Sequence, residues 1–449
     1  MKLSRRRFLA SSLLTAMYNP LIANEKKSTL PWWNWSGALS SRPVARFAPS
    51  SEDQLVDSLK QIVGPVRPVG AGHSFSPLVP TDGTLVVLDK LNGLISHDPK
   101  TQTALFAAGT RLGNAGPLLE SVGQAMFNLP DIDRQTLAGA ISTSTHGTGR
   151  DLGSLSSYVT ELRLVTPNGE VLDLGPDQQP DLFNAARVSL GSLGIISRIG
   201  FQNRDSFNLR SSTWVEDTES VIESFNDRCN EFEHYEFMPL VHADYSLVIA
   251  HKETKEPVQP PLPEDDAGGI FGVLSKIPVI FRRPLINYLL GDTPRSETVE
   301  PSHLALTNVR NDRFNEMEYS LPVDAGPQCV REILKTVTDN RIDVLIPLEY
   351  RIIAKDNTWL GMFSDEPRVS ISIHRMAGYD YKPYFDVIEP IFWKYDGRPH
   401  WGKVHSLGFA ELSALYPRLK DFVAIQKTLD PNGQMLNQHL KKVLGIIPS

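Results

Sequence analysis

Apolar positions recur along this chain with two different periods, and the changes between them mark its elements. Ser51 precedes Gln54 by three residues, a capping-box spacing, and Leu55, Val56, Leu59, Ile62 and Val63 then share one face of a predicted helix. The runs "TLVVLDKL" and "ALFAAGT" read as strands, and "RLGNAGPLLESVG" as a helix that stops at a glycine. "ELRLVTPNGEVLDLG" is a hairpin, two β-rich runs joined across Pro167, Asn168 and Gly169. Residues 40–205 thus alternate strands with helices in an α+β domain. Further on, "RVSISIHRM" alternates with period two: Val369, Ile371 and Ile373 face one way, Ser370, Ser372 and His374 the other. In "IPLEYRIIAKDNTWL", Glu349 and Arg351 share one strand face, with Leu348, Tyr350 and Ile352 opposite. As neighbours, these two strands would present a carboxylate, a guanidinium and an imidazole together. A solvated sheet face would show the same alternation. The apolar segment "IFGVLSKIPVIFRRPLINYLL", residues 270–290, is broken by two prolines and two arginines and does not read as a spanning helix. Burial against its own domain is favoured over contact with a membrane or a partner.

Composition narrows the picture. The length of 449 residues suggests two domains, and a hydrophobic content of 41% suits an ordinary globular chain. A net charge of −7 argues against a general nucleic-acid binder, which needs a basic face. The two cysteines, Cys229 and Cys329, exclude a CxxC pair or a cysteine metal cluster, and no metal site is expected. They leave open one disulfide or two buried thiols. At the N-terminus, Ser4, Arg5, Arg6, Arg7, Phe8 and Leu9 followed by a short apolar run match a twin-arginine export signal, assigned to residues 1–27. The expected location is the periplasm. Export of a folded protein suits one whose cofactor is inserted inside the cell.

Three glycine-rich stretches carry the candidate chemistry. "RPVGAGHSFSP" sets His73 beside Gly70 and Gly72, which implies backbone pressed against a ligand. "NLPDIDRQTLAGAISTSTHGTGRDLGS" offers amides and the hydroxyls of Ser142 to Thr145 around His146, a donor set suited to a pyrophosphate; a polar, turn-rich loop has the same composition. "VSLGSLGIIS" repeats the theme. None is a GxGxxG fingerprint, so a Rossmann site is poorly supported. "RPHWGKVHS" gathers His400, Lys403 and His405 around Trp401.

Together "GAGHS", "AGAISTSTHGTG", "SLGSLGIIS", the Glu349-x-Arg351 pair and "RPHWGK" make the chain resemble the aldonolactone oxidase group of flavoenzymes, within the vanillyl-alcohol-oxidase-like superfamily. That group includes L-gulonolactone, D-arabinono-1,4-lactone and alditol oxidases. The resemblance implies an α+β architecture: a two-subdomain PCMH-type FAD-binding domain over residues 28–205, and a substrate (cap) domain over 206–449 with an antiparallel sheet. Residues 400–449 would return to the FAD domain. It implies FAD, joined covalently to His73. Cofactor contacts would come from Gly70, Ala71, Gly72, His73, Ser74, Phe75, Asp131, Thr136, Ala138, Gly139, Ser142, Thr143, Thr145, His146, Gly147, Gly194, Ile195 and Ile196. It further implies hydride transfer from a CH–OH group of a small polyhydroxylated substrate, with O2 or another electron acceptor. Glu349 and Arg351 would bind substrate hydroxyls. Arg351 and Lys403 would supply positive charge, and either His374 or Lys403 would act as base. Where relatives carry a small residue and then a serine that touches substrate, this chain has Pro130 and Asp131, which leaves substrate and oxygen use open. An alditol oxidase or an oxidase of a lipid-linked sugar is the alternative enzyme; a flavin electron carrier or sugar-binding protein is the alternative of another class.

Overall fold

The computed structural model describes residues 30–260, 274–290, 293–308 and 312–446, so the twin-arginine segment lies outside the described residues. Three sheets organise the chain. Ala45–Phe47, Thr84–Val87 and Val66–Val69 form a small parallel sheet in that order. A five-stranded antiparallel sheet runs Val171–Leu174, Val159–Val165, Ile195–Gln202, Thr103–Ala107 and Leu94–Asp98. Its first two strands are the hairpin read from the sequence, with Val165 opposite Val171. An eight-stranded antiparallel sheet follows, in the order Ser296–Pro301, Asn208–Asp217, Tyr245–Thr254, His234–Pro239, Glu349–Ile353, Arg368–Met376, Phe314–Pro322, Arg398–Pro399.

Period-two patterning decides the faces of the large sheet. Met317, Tyr319, Leu321, Ile371, Ile373 and Tyr350 join an apolar core with Phe225, Val330, Ile333, Phe385 and Phe392. These come from the helices Thr218–Glu231, Gly326–Asp339 and Lys382–Lys394. The opposite face carries Glu316, Glu318, Ser370, Ser372 and His374, each 4% exposed or less. The alternation in "RVSISIHRM" is therefore no solvated face: both sides of that strand are covered.

Some local expectations change. The first helix spans Glu52–Gln61 and is capped by Ser51, but the Gln54 side chain accepts from the amide of Ser50, not Ser51. Val63 lies beyond the helix end and is 98% exposed, because the chain turns extended at Ile62. In the 270–290 segment the helix Val279–Leu290 buries Arg282 and Ile286, while Ile280, Phe281, Tyr288 and Leu289 stay exposed, so burial of its apolar residues is incomplete. Two prolines and an inward arginine leave too few apolar positions on one stripe to bury them all. No helix among the described residues is long and apolar enough to cross a membrane. Cys229 and Cys329 are free and buried, with burial pushing the Cys229 thiol up to about 12.

The C-terminal segment folds back onto the N-terminal half. The Ser76 hydroxyl donates to Trp401 O at 2.5 Å, and Phe75 N to Gly402 O at 2.6 Å. Arg67, wholly buried, donates to the carbonyls of Leu78, Leu190, Gly191 and Met435.

Buried histidines give the cap an acid response. Burial lowers His234 to about 4 and His251 to about 3, so both fold neutral. The unfolded chain binds their protons first, near pH 6.5, and stability must fall as pH drops from there toward 4, by up to about 1.4 kcal/mol per pH unit for each. Urea midpoints at pH 7.5, 6.5 and 5.5 should decline in that order; a flat series would remove this assignment.

Candidate active site

Two cavities meet at one histidine. The first, with about 870 Å3 of empty space, is lined by Gly70, Ala71, Gly72, His73, Ser74, Thr136, Ala138, Gly139, Ser142, Thr143, Gly194, Ile195 and Ile196, among others. The Val66–Val69 strand delivers the glycine–histidine turn to it. Gly72 has φ +69°, a left-handed backbone that favours glycine, and a Cβ there would lie 3.3 Å from the Trp32 ring. Gly194, at φ +151°, would set a Cβ 2.6 Å from Val165 O. Thr136 caps the Leu137–Ile141 helix by accepting from Gly139 N. The lining is mostly backbone, small hydroxyls and aliphatic carbons, joined by Arg67, His73 and Gln135, with no carboxylate. That donor set fits the phosphates and rings of FAD.

The second cavity, about 640 Å3, is lined by Phe75, Asp131, Thr145, His146, Phe314, Glu316, Glu318, Glu349, Arg351, His374, His400 and Lys403. His73, Ser74, Gln135 and Thr143 line both cavities. The two neighbouring strands place Glu349 opposite Ser372 and Arg351 opposite Ser370. All four residues read as catalytic therefore face one cavity. Five of those read as cofactor contacts are absent from the lining of the first cavity. Phe75, Asp131, Thr145 and His146 line the second, and Gly147 lines a third beside it. The "STSTHGTG" stretch bends between its hydroxyls and His146, where Ser144 takes φ +62°, so its two ends serve different cavities.

Charges in the second cavity are paired. Arg351 donates through Nε to Glu236 and lies 2.9 Å from Glu349 Oε2 through Nη1. Burial opposes its charge, but Glu236 and Glu349 outweigh that and hold the guanidinium ionised. Glu316 lies 2.5 Å from Lys403 Nζ and 3.7 Å from His374 Nε2. Glu318 lies 2.6 Å from His146 Nε2 and accepts from Ser370. Burial would raise both carboxyls, yet Lys403 and the neighbouring imidazoles keep them below the usual carboxylate range. His374 faces acceptors at both nitrogens, Pro347 O at 3.2 Å and Glu316, and Glu316 lifts its pKa against the effect of burial. This surrounding favours the charged form of His374, read with Lys403 as a candidate base. His73 is the reverse case: burial and Lys403 lower it to about 4, its ring stacks on Trp35 at 4.4 Å, and its buried Nε2 has no hydrogen-bond partner. His405 stands apart, against Trp401 and His439.

Sequence reasoning missed Glu236, Glu316 and Glu318, and noticed His400 without giving it a place. The signal for two of them was there: "FNEMEYSLP" sets carboxylates at alternate positions of a strand whose Met317, Tyr319 and Leu321 face the other way. Glu316, Glu349 and His374 lie close enough to hold a metal ion. Lys403 and Arg351 already neutralise the two carboxylates.

Comparison with known proteins agrees with this geometry. Residues 43–175 match the model of an FAD-binding domain, and the two cavities on this fold define an FAD-dependent oxidoreductase. Residues 199–443 match D-arabinono-1,4-lactone oxidase, and the chain belongs to that family. It is 33% identical to L-gulono-1,4-lactone dehydrogenase of Mycobacterium tuberculosis, over 92% of this chain and 99% of the relative. It is 27% identical to L-gulonolactone oxidase of Bos taurus, over 91% and 97%. Cholesterol oxidase from B. sterolicum shares the PCMH-type α+β fold, with a TM-score of 0.76, 15% identity, and 92% and 96% of the two chains covered.

Proposed function

We propose that the protein oxidises a CH–OH group of a sugar-1,4-lactone. The supporting observation is the junction at His73, where a groove fit for FAD opens into a buried cavity with paired charges. Bound FAD supplies the hydride acceptor, and O2 or another acceptor takes the electrons on. Glu349 and Arg351 bind the hydroxyls of the substrate, fixing the ring so that one C–H points at the cofactor. Lys403 stabilises negative charge that develops on the reacting oxygen, His374 helps hold the Glu316 carboxylate beside it, and the hydroxyl proton freed as the hydride leaves passes to solvent water. Anaerobic mixing with L-gulono-1,4-lactone, D-arabinono-1,4-lactone and xylitol tests this. Bleaching of the flavin by a lactone is expected, and colour returning in air would mark an oxidase. Bleaching by xylitol alone would move the substrate class to alditols, and no bleaching at all would sink the reading.

The flavin is covalently held through His73, whose neutral ring and unpartnered Nε2 suit a nucleophile. After acid precipitation, the yellow colour should stay with the native protein and leave with the supernatant from His73→Ala. Colour retained by that variant would refute the attachment. The twin-arginine segment directs the protein to the periplasm, and fractionation of cells carrying Arg5, Arg6 and Arg7 replaced by lysine should find it retained inside. The exposed Ile280, Phe281, Tyr288 and Leu289 make a peripheral membrane contact. Flotation with lipid vesicles checks it; equal flotation by Phe281→Ser would argue against it.

A further inference from the structure

Glu316 and Glu318 stand two apart on the Phe314–Pro322 strand, so both side chains leave the same face of the sheet. They are 4% and 3% exposed, and the reading above gives them no chemical step of their own. Among the described residues, the ion pairs of Lys403 run to these two: Nζ lies 2.5 Å from Glu316 and 3.7 Å from Glu318. Each carboxylate is braced on its other oxygen by an imidazole, Glu316 by His374 and Glu318 by His146. The outer nitrogens of those imidazoles face carbonyls, Pro347 O at 3.2 Å and Gly147 O at 2.9 Å. Carboxylates thus alternate with basic side chains along His374, Glu316, Lys403, Glu318 and His146, and backbone carbonyls close both ends and hold the series in place. On its remaining side Lys403 sits over the Phe75 ring, 5.3 Å from the centroid, at the wall the cavity shares with the glycine–histidine turn.

We infer that Glu316 and Glu318 are positioning residues that clamp Lys403 as a permanent ammonium, so that it serves as a fixed positive charge and never as the proton acceptor. What that charge acts on rests on the function proposed above; the clamp itself does not. Other groups also face Lys403. Glu349 favours its charge, while His73, His374 and His400 are each made harder to protonate by it. Burial works against the ammonium, and the two carboxylates outweigh burial, which holds Lys403 above its ordinary range. Losing the proton would leave two buried carboxylates repelling one another across the space it neutralised.

The test is a titration of the holoenzyme labelled with 13C at the lysine ε carbons, the Lys403 resonance being the one lost in Lys403→Arg. In the native protein this resonance should stay unshifted past the ordinary lysine midpoint of about 10.4. In Glu316→Gln the midpoint should fall by about one pH unit or more, and in Glu318→Gln by less, since that carboxylate is farther away. Anaerobic flavin reduction by L-gulono-1,4-lactone should gain an alkaline limb at the same midpoints. Adding Lys403→Arg to Glu316→Gln should abolish the limb, because a guanidinium stays charged. A native Lys403 that titrates at the ordinary value, or a midpoint unmoved in both glutamine variants, overturns the inference. So does a rate loss equal at every pH, which a purely structural role would give. Should Glu316→Gln not fold, Glu318→Gln carries the same comparison. If no lactone reduces the flavin, the proposed function fails and the titration still decides the clamp.

Discussion

Replacing Lys403 by methionine slows flavin reduction by about 10²–10³-fold while the flavin stays bound, the size expected for loss of one preorganised charge in a water-poor site. Lys403 is absent from the lining of the FAD groove, so the cofactor contacts survive. Its methylenes can be replaced, and its charge cannot. Glu316 and Glu318 would then be buried without their cation and would take up a proton, so the cavity loses positive charge without gaining a stable negative one. Stopped-flow reduction with a saturating lactone, alongside the flavin-to-protein absorbance ratio, measures both parts. A methionine variant that reduces its flavin at the native rate would remove Lys403 from the chemistry. One that comes out colourless would make Lys403 a cofactor contact.

The second large effect belongs to Arg351, and it falls on stability as well as turnover. Arg351 is 8% exposed, and its guanidinium joins two carboxylates from different strands, Glu236 through Nε and Glu349 through Nη1. Truncation to alanine removes the cation paired with buried Glu236 and half-buried Glu349, at a cost of about 3–5 kcal/mol. Lysine is no substitute, since one ammonium cannot span partners held apart by a planar fork. Arg351→Ala should therefore melt lower and show a raised KM. Adding Glu236→Gln should recover part of the melting temperature and none of the KM, which separates the structural partner from the substrate contact. Recovery of both together would mean that Arg351 acts on substrate only through the fold.

How much of this was legible follows from what kind of signal each residue gives. Strands and hairpins show in local period, so Val165 and Val171 could be paired on sight and Glu349 could be placed on one face with Arg351. Cavity lining is a property of the return path of the chain. Thr143 and His146 are three residues apart, but the left-handed turn at Ser144 sends only Thr143 to the FAD groove, and no local pattern announces it. Glu316 and Glu318 look like half of an exposed amphipathic strand until the FAD-binding half covers them. His374 could be found by pattern, but its protonation could not: that depends on Pro347 O and Glu316, neither beside it in sequence. The exposed stripe of Ile280 and Phe281 was flagged as apolar, yet composition does not say which way a helix is turned.

The stitching of the C-terminal segment onto the glycine–histidine turn bears on how the protein is made. Ser76 meets Trp401 across 325 residues, and Arg67 meets Met435 across 368. Contacts of such sequence separation form late, after most of the chain has been synthesised and its loop closure has been entropically offset. A chain still on the ribosome has the glycines and hydroxyls of the cofactor groove but lacks Met435, one of the acceptors that fix Arg67 beneath it. Completion of the cofactor groove therefore waits for the last part of the chain, and a chain stopped before Trp401 should be made, fold in part and bind no flavin.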